Sequence, residues 1–289
     1  MSLKCCSLAV FLVLSSINLA AENVEISHYQ THARYEYGAK VLKLALSKLP
    51  GTYSLNSPEL SEALNEARGE LEVIDGRIDL QWMSTSIFRE ENMIPIKIPI
   101  YQGLLGLRLL LINKIHDTGL EKISSIEDLR SFKGGHGLHW GDLPVYAANN
   151  LPVLAHKDYE SIFKLLKLQR IDYFHRGLNE IWSELKQHQD KLIIADNVML
   201  FYPLPVYFFV SKHRPELALL LEKGLNIALT DGSFKQLFHE LFQTNIENAK
   251  LSTRQLIILK NPTLPSDTPY IETNWWLPEQ FHPQMKNAF

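Results

Sequence analysis

Three hydroxyl side chains in a row, Ser84, Thr85 and Ser86, close an apolar and aromatic stretch at residues 78–83, and Arg89 follows three positions later. Hydroxyls and a guanidinium at the end of a buried strand form an anion site, because Arg presents a planar fork of donors matched to carboxylate or phosphate. The blander reading of Arg89 is a surface side chain paired with Glu90 or Glu91. A second candidate is Trp140-Gly141-Asp142, a strand-to-helix turn of the kind that points backbone N–H groups at anions. Asp142 reads there as a helix N-cap, and Trp140 reads either as an apolar wall for a ligand or as core. Arg176 ends an apolar run at residues 171–174. It either holds an anionic group or pairs with Glu180 at helical spacing. Trp82, Tyr101, Tyr173, Phe174 and Tyr207 fall at strand ends or crossings. Most are core, and one or two, with Trp82 and Tyr173 as the candidates, would suit a ring-bearing or apolar ligand.

Other chemistries are missing. The sequence has no HExxH, GxSxG or P-loop. His136 and His139, three apart near a strand, point to opposite faces and do not read as metal ligands. Asp75 and Asp79 flank a turn, and no pair of catalytic carboxylates can be argued. No cofactor and no metal are expected.

Alternating strand and helix patterns position these groups. Residues 24–29 read as a strand, with Thr31 as cap of a helix whose stripe is Gly38, Val41, Leu42, Ala45 and Leu49; Pro50-Gly51 stops it. Ser57-Pro58 starts a second helix, with Leu60, Leu64, Ala67, Leu71 and Ile74 inward. Gly76 then delivers the chain into the strand at residues 78–83. This is the pattern of a parallel sheet with crossover helices. Residues 104–112 are a buried strand, too short to span a membrane. A second α/β unit follows, with strands at 137–140, 153–155, 171–174 and 192–195 and a helix capped by Asp158. Residues 198–210 are apolar but contain Pro203 and Pro205, which suits a bent crossing. Helices at 216–229 and 234–242 flank the turn Asp231-Gly232-Ser233.

A chain of 289 residues can build two lobes with their own cores. Net charge is −3 with no basic block, which argues against a nucleic-acid partner. Residues 1–21 carry Lys4, a short apolar core and a small-residue end, the order of a secretory signal peptide cut after Ala20 or Ala21. Cys5 and Cys6 both lie inside it, so neither disulfide nor thiol chemistry is expected afterwards. Residues 261–289 hold five prolines and Trp275-Trp276 and read as an extended strap packed on the body.

The order of strand, hydroxyls, Arg and apolar strand resembles the extracellular solute-binding proteins of family 3, the polar amino acid type, which have a type II periplasmic binding-protein fold. In that family the first segment carries the ligand-binding Ser and Arg of one lobe, and the apolar strand after it crosses a hinge. The resemblance runs over residues 24–244 in order of elements. It implies an α/β protein of two lobes: residues 22–105 with 209–260, and residues 106–208, joined by crossings near 106–113 and 200–210. It implies a small-molecule ligand in the cleft, touched by Trp82, Ser84, Ser86, Arg89, Trp140, Gly141, Tyr173 and Arg176. It further implies a periplasmic monomer that serves an ABC transporter permease or a membrane sensor and is not an enzyme. Arg108, inside the crossing strand, needs a partner near cleft or hinge. One departure bears on the ligand. Arg170-Ile171-Asp172 is present, but the acidic residue that holds an α-ammonium in the family is replaced by His175-Arg176-Gly177. The expected solute is therefore polar or anionic. The rival readings are a dehydratase-like periplasmic enzyme on the same fold and a scaffold with an empty cleft.

Overall fold

A computed structural model describes residues 23–57, 66–115 and 119–269, with only the backbone at Glu121. The leader expected at 1–21, the helix start expected at 58–65 and Trp275-Trp276 lie outside the described residues. The first lobe opens with β1 (Asn23–Ser27), α1 (Glu36–Ser47) and β2 (Thr52–Asn56), the two strands pairing in parallel. Helix α1 starts later than a Thr31 cap would place it, after a short turn at Ala33–Tyr35 that His32 caps. Its Tyr37, Val41, Leu42 and Ala45 are buried, as their spacing requires. Then come α2 (Glu66–Ile74), β3 (Leu80–Ser84), α3 (Ile87–Asn92) and β4 (Ile94–Ile96). Helix α2 does not bury the face read from the sequence. Leu71 is exposed, while Gly69, Glu70 and Val73 are inside. An ion pair from Arg89 to Glu70 holds that carboxylate inward.

The second lobe is built on β5 (Leu107–Asn113), which lies centrally in a sheet. Three described strands pair with it antiparallel. The lobe continues through α4 (Ile126–Leu129), β6 (Gly134–Gly137), α5 (Leu143–Ala148), β7 (Val153–His156) and α6 (Tyr159–Lys167). It closes with β8 (Tyr173–Gly177), α7 (Ile181–His188), β9 (Leu192–Ile194) and β10 (Val198–Phe201). Asp158 caps α6 as expected, accepting from Ser161 N at 2.8 Å. Residues 202–205, with both prolines, carry the chain back to β11 (Val206–Val210), which inserts antiparallel between β3 and β4. The return to the first lobe thus comes before β11, earlier than residue 209. The two crossings touch. A methyl group on Gly106 would lie 2.2 Å from Tyr202 O, and Tyr202 N donates to Gly106 O at 3.2 Å, so a residue without Cβ is required there.

Helices α8 (Pro215–Thr230) and α9 (Ser233–Asn248) pack on the first lobe, α8 against α1 so closely that a methyl group on Gly224 would meet Ala45 O at 2.3 Å. Strand β12 (Gln255–Ile258) then departs from the expected division. It pairs in parallel with β10, at the edge of the second lobe's sheet, so 255–258 do not join lobe one. The chain next returns. Asn149 of the second lobe donates to Lys260 O at 2.8 Å and accepts from Lys260 N at 3.0 Å. Asn261 donates to Pro203 O at the crossing, Ile87 N donates to Thr263 O, and Lys97 pairs with Asp267. Residues 259–269 are thus a strap fastened to α5 at one end and to the start of α3 at the other.

Within the first lobe, β1 and β3 are joined by side chains. The Gln30 amide donates to Trp82 O and accepts from Trp82 N, both at 2.7 Å, as a backbone ladder would. Asp79 accepts from both Ser27 N and Ser27 Oγ.

Replacing Asn149 with Ala would strip the Lys260 N–H and C=O of the side-chain partners Asn149 gives them. Leaving them unmade should cost about 1–3 kcal/mol. Urea unfolding of the N149A variant should show that loss, with faster amide exchange across 259–269. Unchanged exchange there would mean that the strap is not fastened at this point.

Candidate functional site

The lobes meet where β3 ends and β6 turns into α5. Ser86 caps α3, its hydroxyl accepting from Arg89 N at 3.3 Å, and this cap directs the Arg89 side chain back under β3. Arg89 is buried. Its Nε donates to Glu70 at 2.7 Å, its Nη2 to Glu66 at 3.0 Å, and its Nη1 to Ser84 O at 2.7 Å and Ser84 Oγ at 3.0 Å. Gly141 of the other lobe stands against this group. A methyl there would lie 2.9 Å from Arg89 Nη1 and 3.3 Å from Ser84 Oγ.

The second lobe contributes two more guanidiniums. Arg108, on β5, donates to Tyr202 OH at 2.8 Å, to Asp142 at 2.7 Å and to Glu180 at 3.4 Å. Asp142 also accepts from Tyr202 OH at 2.6 Å, and His136 Nε2 stands 3.3 Å from its other oxygen. Burial works to raise the Asp142 pKa, but Arg108, then His136 and Tyr202, outweigh it and hold the carboxyl well below its ordinary range. Arg176, on β8, donates to both oxygens of Glu184 at 2.8 and 2.7 Å and pairs with Glu180 at 2.9 Å. Its guanidinium carbon lies 4.7 Å from the Trp140 ring centre, 4.9 Å from that of Phe174 and 5.5 Å from that of Tyr159, a cation among aromatic faces. Tyr159 donates a short hydrogen bond to Glu184.

One carboxylate on each lobe is more accessible than the rest of these networks. Glu66 and Glu180 keep 24 % and 21 % of their side-chain surface accessible, more than Glu70, Asp142 or Glu184. Burial raises both pKa values, against the pull of Arg89 on Glu66 and of Arg176 on Glu180. Tyr35, on the first lobe, feels both carboxylates, which add to the rise that burial imposes on its hydroxyl.

No protein-family model matches the sequence, and no curated protein matches it. Solved structures do. An ancestral arginine-binding protein bound to arginine superposes with a TM-score of 0.55 at 18 % identity, over 76 % of this chain and 98 % of its own. The Salmonella typhimurium periplasmic binding protein described for high arginine specificity gives 0.56 at 16 % identity, over 77 % and 100 %. An ancestral amino-acid-binding protein, described as a precursor of cyclohexadienyl dehydratase, gives 0.54 at 13 % identity, over 76 % and 95 %. The chain has the type II periplasmic binding-protein fold. Among the described residues no helix is long and apolar enough to cross a membrane.

Within this binding-protein fold the expected contact residues separate into two groups. Ser84, Arg89 and Gly141 meet at the seam, and Trp140 and Arg176 stand behind it. Trp82 and Tyr173 do not face it. Trp82 is 2 % exposed, and its indole packs on Gly38 and Phe208 in the first-lobe core, because β3 is covered on both faces. Tyr173 is wholly buried against Gly134, as it begins an interior strand. Ser86 is a helix cap. Asp142 makes no cap bond, since Arg108 and Tyr202 draw its side chain inward. The open anion site read from Arg89 and Arg176 is corrected too. Each guanidinium already has two carboxylate partners within its own lobe. The sequence reading weighed Glu180 as a partner of Arg176 and missed Glu66, Glu70 and Glu184. The recurrence of Glu66 with Glu70 and of Arg176, Glu180 and Glu184 at intervals of four was the available signal.

His175 is buried beside this network. It stacks on Tyr146 with ring centres 4.0 Å apart and has no partner for either ring nitrogen among the described residues. Burial, then His136 and Arg108, push its pKa well below 6.5. The unfolded chain takes up a proton near 6.5 that the folded chain refuses, so this contribution to stability is full above that pH and is lost as pH falls. Denaturant curves of wild type and His175→Phe should therefore diverge below pH 6.5, wild type falling faster. Parallel curves would contradict a neutral His175. Gly141→Ala should displace Arg89 or part the lobes, seen as a larger radius of gyration by X-ray scattering; an unchanged radius and melting point would show the contact to be slack.

Proposed function

We propose that this protein is an exported solute-binding protein that captures a small polar solute between its lobes, for ABC-type uptake or as an orphan sensor. The observation that carries the reading is the seam itself. The sheets of the two lobes bring buried charged side chains to one contact, with Arg89 and Ser84 of one lobe against Gly141 of the other. Charges are placed at a domain boundary at a desolvation cost, and a ligand that completes their pairing offsets it. The two crossings, pressed together at Gly106 and Tyr202, act as the hinge of such a movement. The signal-like order of residues 1–21 and the likeness to periplasmic binding proteins support export. The prior expectation of an anionic solute has no support from the seam, where the guanidiniums are already paired.

A dehydratase-like enzyme is the second reading. Glu66 and Glu180 favour it, since a buried carboxyl with a raised pKa is what a general acid needs. Binding and turnover separate in one experiment. The mature chain is screened by thermal shift against amino acids, organic acids, amines and small peptides, and any solute bound is then recovered and weighed by mass spectrometry. A binder at a hundredfold excess over its Kd should raise the melting point by roughly 5–10 °C and be recovered unchanged. A chemically altered solute would establish the enzyme, and no response across the screen would contradict both readings.

A further inference from the structure

The pairing at the seam is uneven. On the first lobe one buried guanidinium, Arg89, serves two carboxylates, Glu66 and Glu70. On the second, Arg108 and Arg176 serve three, Asp142, Glu180 and Glu184. Among the described residues, the buried ion-paired network of each wall thus has one carboxylate more than it has guanidiniums. Arg34 lies within electrostatic reach of Glu66, but it is exposed and donates to Tyr35 OH. His136 Nε2 stands 3.3 Å from Asp142, and its ring packs on Trp140, Tyr146 and His175 rather than pairing with Glu180 or Glu184. The more accessible carboxylates of the two walls are Glu66 and Glu180.

A second observation lies beside Glu66. The Tyr29 side chain is 9 % exposed, and its hydroxyl has no partner among the described residues. The hydroxyl end of the ring presses on Gly69, between Glu66 and Glu70, and feels both Glu66 and Arg89. It is a buried polar group at the acidic end of the seam, with a lone pair to offer.

A ligand carboxylate entering here would have to displace a glutamate from Arg89 or Arg176 and leave that glutamate buried without its cation, which is strongly unfavourable. The aromatic faces around Arg176 are already filled by that guanidinium. An ammonium or guanidinium, in contrast, adds donors that Glu66, Glu180 and Tyr29 can accept, and it leaves the arginine pairs and the bond from Gly177 N to Glu180 in place. Resting on the reading of the seam as a ligand site, we infer that the solute is a small organic dication without a carboxylate, a diamine or an amino-guanidine, spanning Glu66 and Glu180.

Two probes that differ only in the carboxylate decide the matter: 4-aminobutylguanidine and arginine. Calorimetry on the mature chain at neutral pH, with 1,4-diaminobutane and succinate as further arms, should show 4-aminobutylguanidine binding at least tenfold tighter than arginine, and no heat with succinate. Glu66→Gln and Glu180→Gln should each weaken it tenfold or more while keeping the wild-type circular dichroism. Tighter binding of arginine, binding of succinate, or any screened anion or zwitterion binding where the dications do not, overturns the inference and leaves the solute-binding reading standing. Silence from these probes and from the whole solute screen removes both. The wild-type arms decide even if a variant does not fold.

Discussion

A guanidinium taken out of water must have its charge balanced at short range, and the second lobe is arranged around one such obligation. Arg108 sits near the start of an apolar strand, 5 % exposed. Left alone it would cost far more than the strand's packing returns. Its partners come from three separate places: Tyr202 at the return crossing, Asp142 at the turn before α5, and Glu180 before α7. Meeting them fixes the hinge, the Gly141 turn and the mouth of β8 relative to one another. The same rule operates at Arg89 and Arg176. Three buried cations thereby set the shape of the seam before any solute arrives.

This arrangement explains why the seam does not look like an open receptor. A free arginine in a cleft is an invitation to an anion, whereas an arginine held between two glutamates is a structural member that buries one of them, Glu70 or Glu184, and leaves the other, Glu66 or Glu180, partly accessible. The fold is shared with proteins described as arginine-binding and amino-acid-binding. Folds of this kind host different ligands through local changes of charge. The strap adds a further constraint. It is bonded to α5, which follows Gly141, and to α3, which carries Arg89, so the two elements that meet at the seam are also tied behind it.

Much of the fold was legible in the sequence because burial imposes periodicity. The stripe of α1, the cap at Asp158, the prolines of the return crossing and the Asp231-Gly232 turn are local signals, read without knowledge of distant partners. Strand β12 was not legible. Four residues, Gln255-Leu256-Ile257-Ile258, acquire strand character only by pairing with β10, more than fifty positions earlier. The site shows the same division. Ser84, Arg89 and Gly141 stood out by residue type at the ends of strands. Trp82 and Tyr173 misled because an aromatic at a strand end looks the same whether it lines a cleft or fills a core. The pairing of Arg89 with Glu66 and Glu70 joins two helices across a strand, and nothing in the chain near Arg89 announces it.

The claim that these lobes close on a solute is tested most directly by the distance between them. The mature chain is expected to lack cysteine, so spin labels at Lys157→Cys on the second lobe and Lys223→Cys on the first would report that distance alone. The account predicts a broad or double distribution without solute that collapses to its shorter component when a binder is added. A single distribution that no solute shifts would mean that the lobes are one fixed body and that the seam is not a binding site.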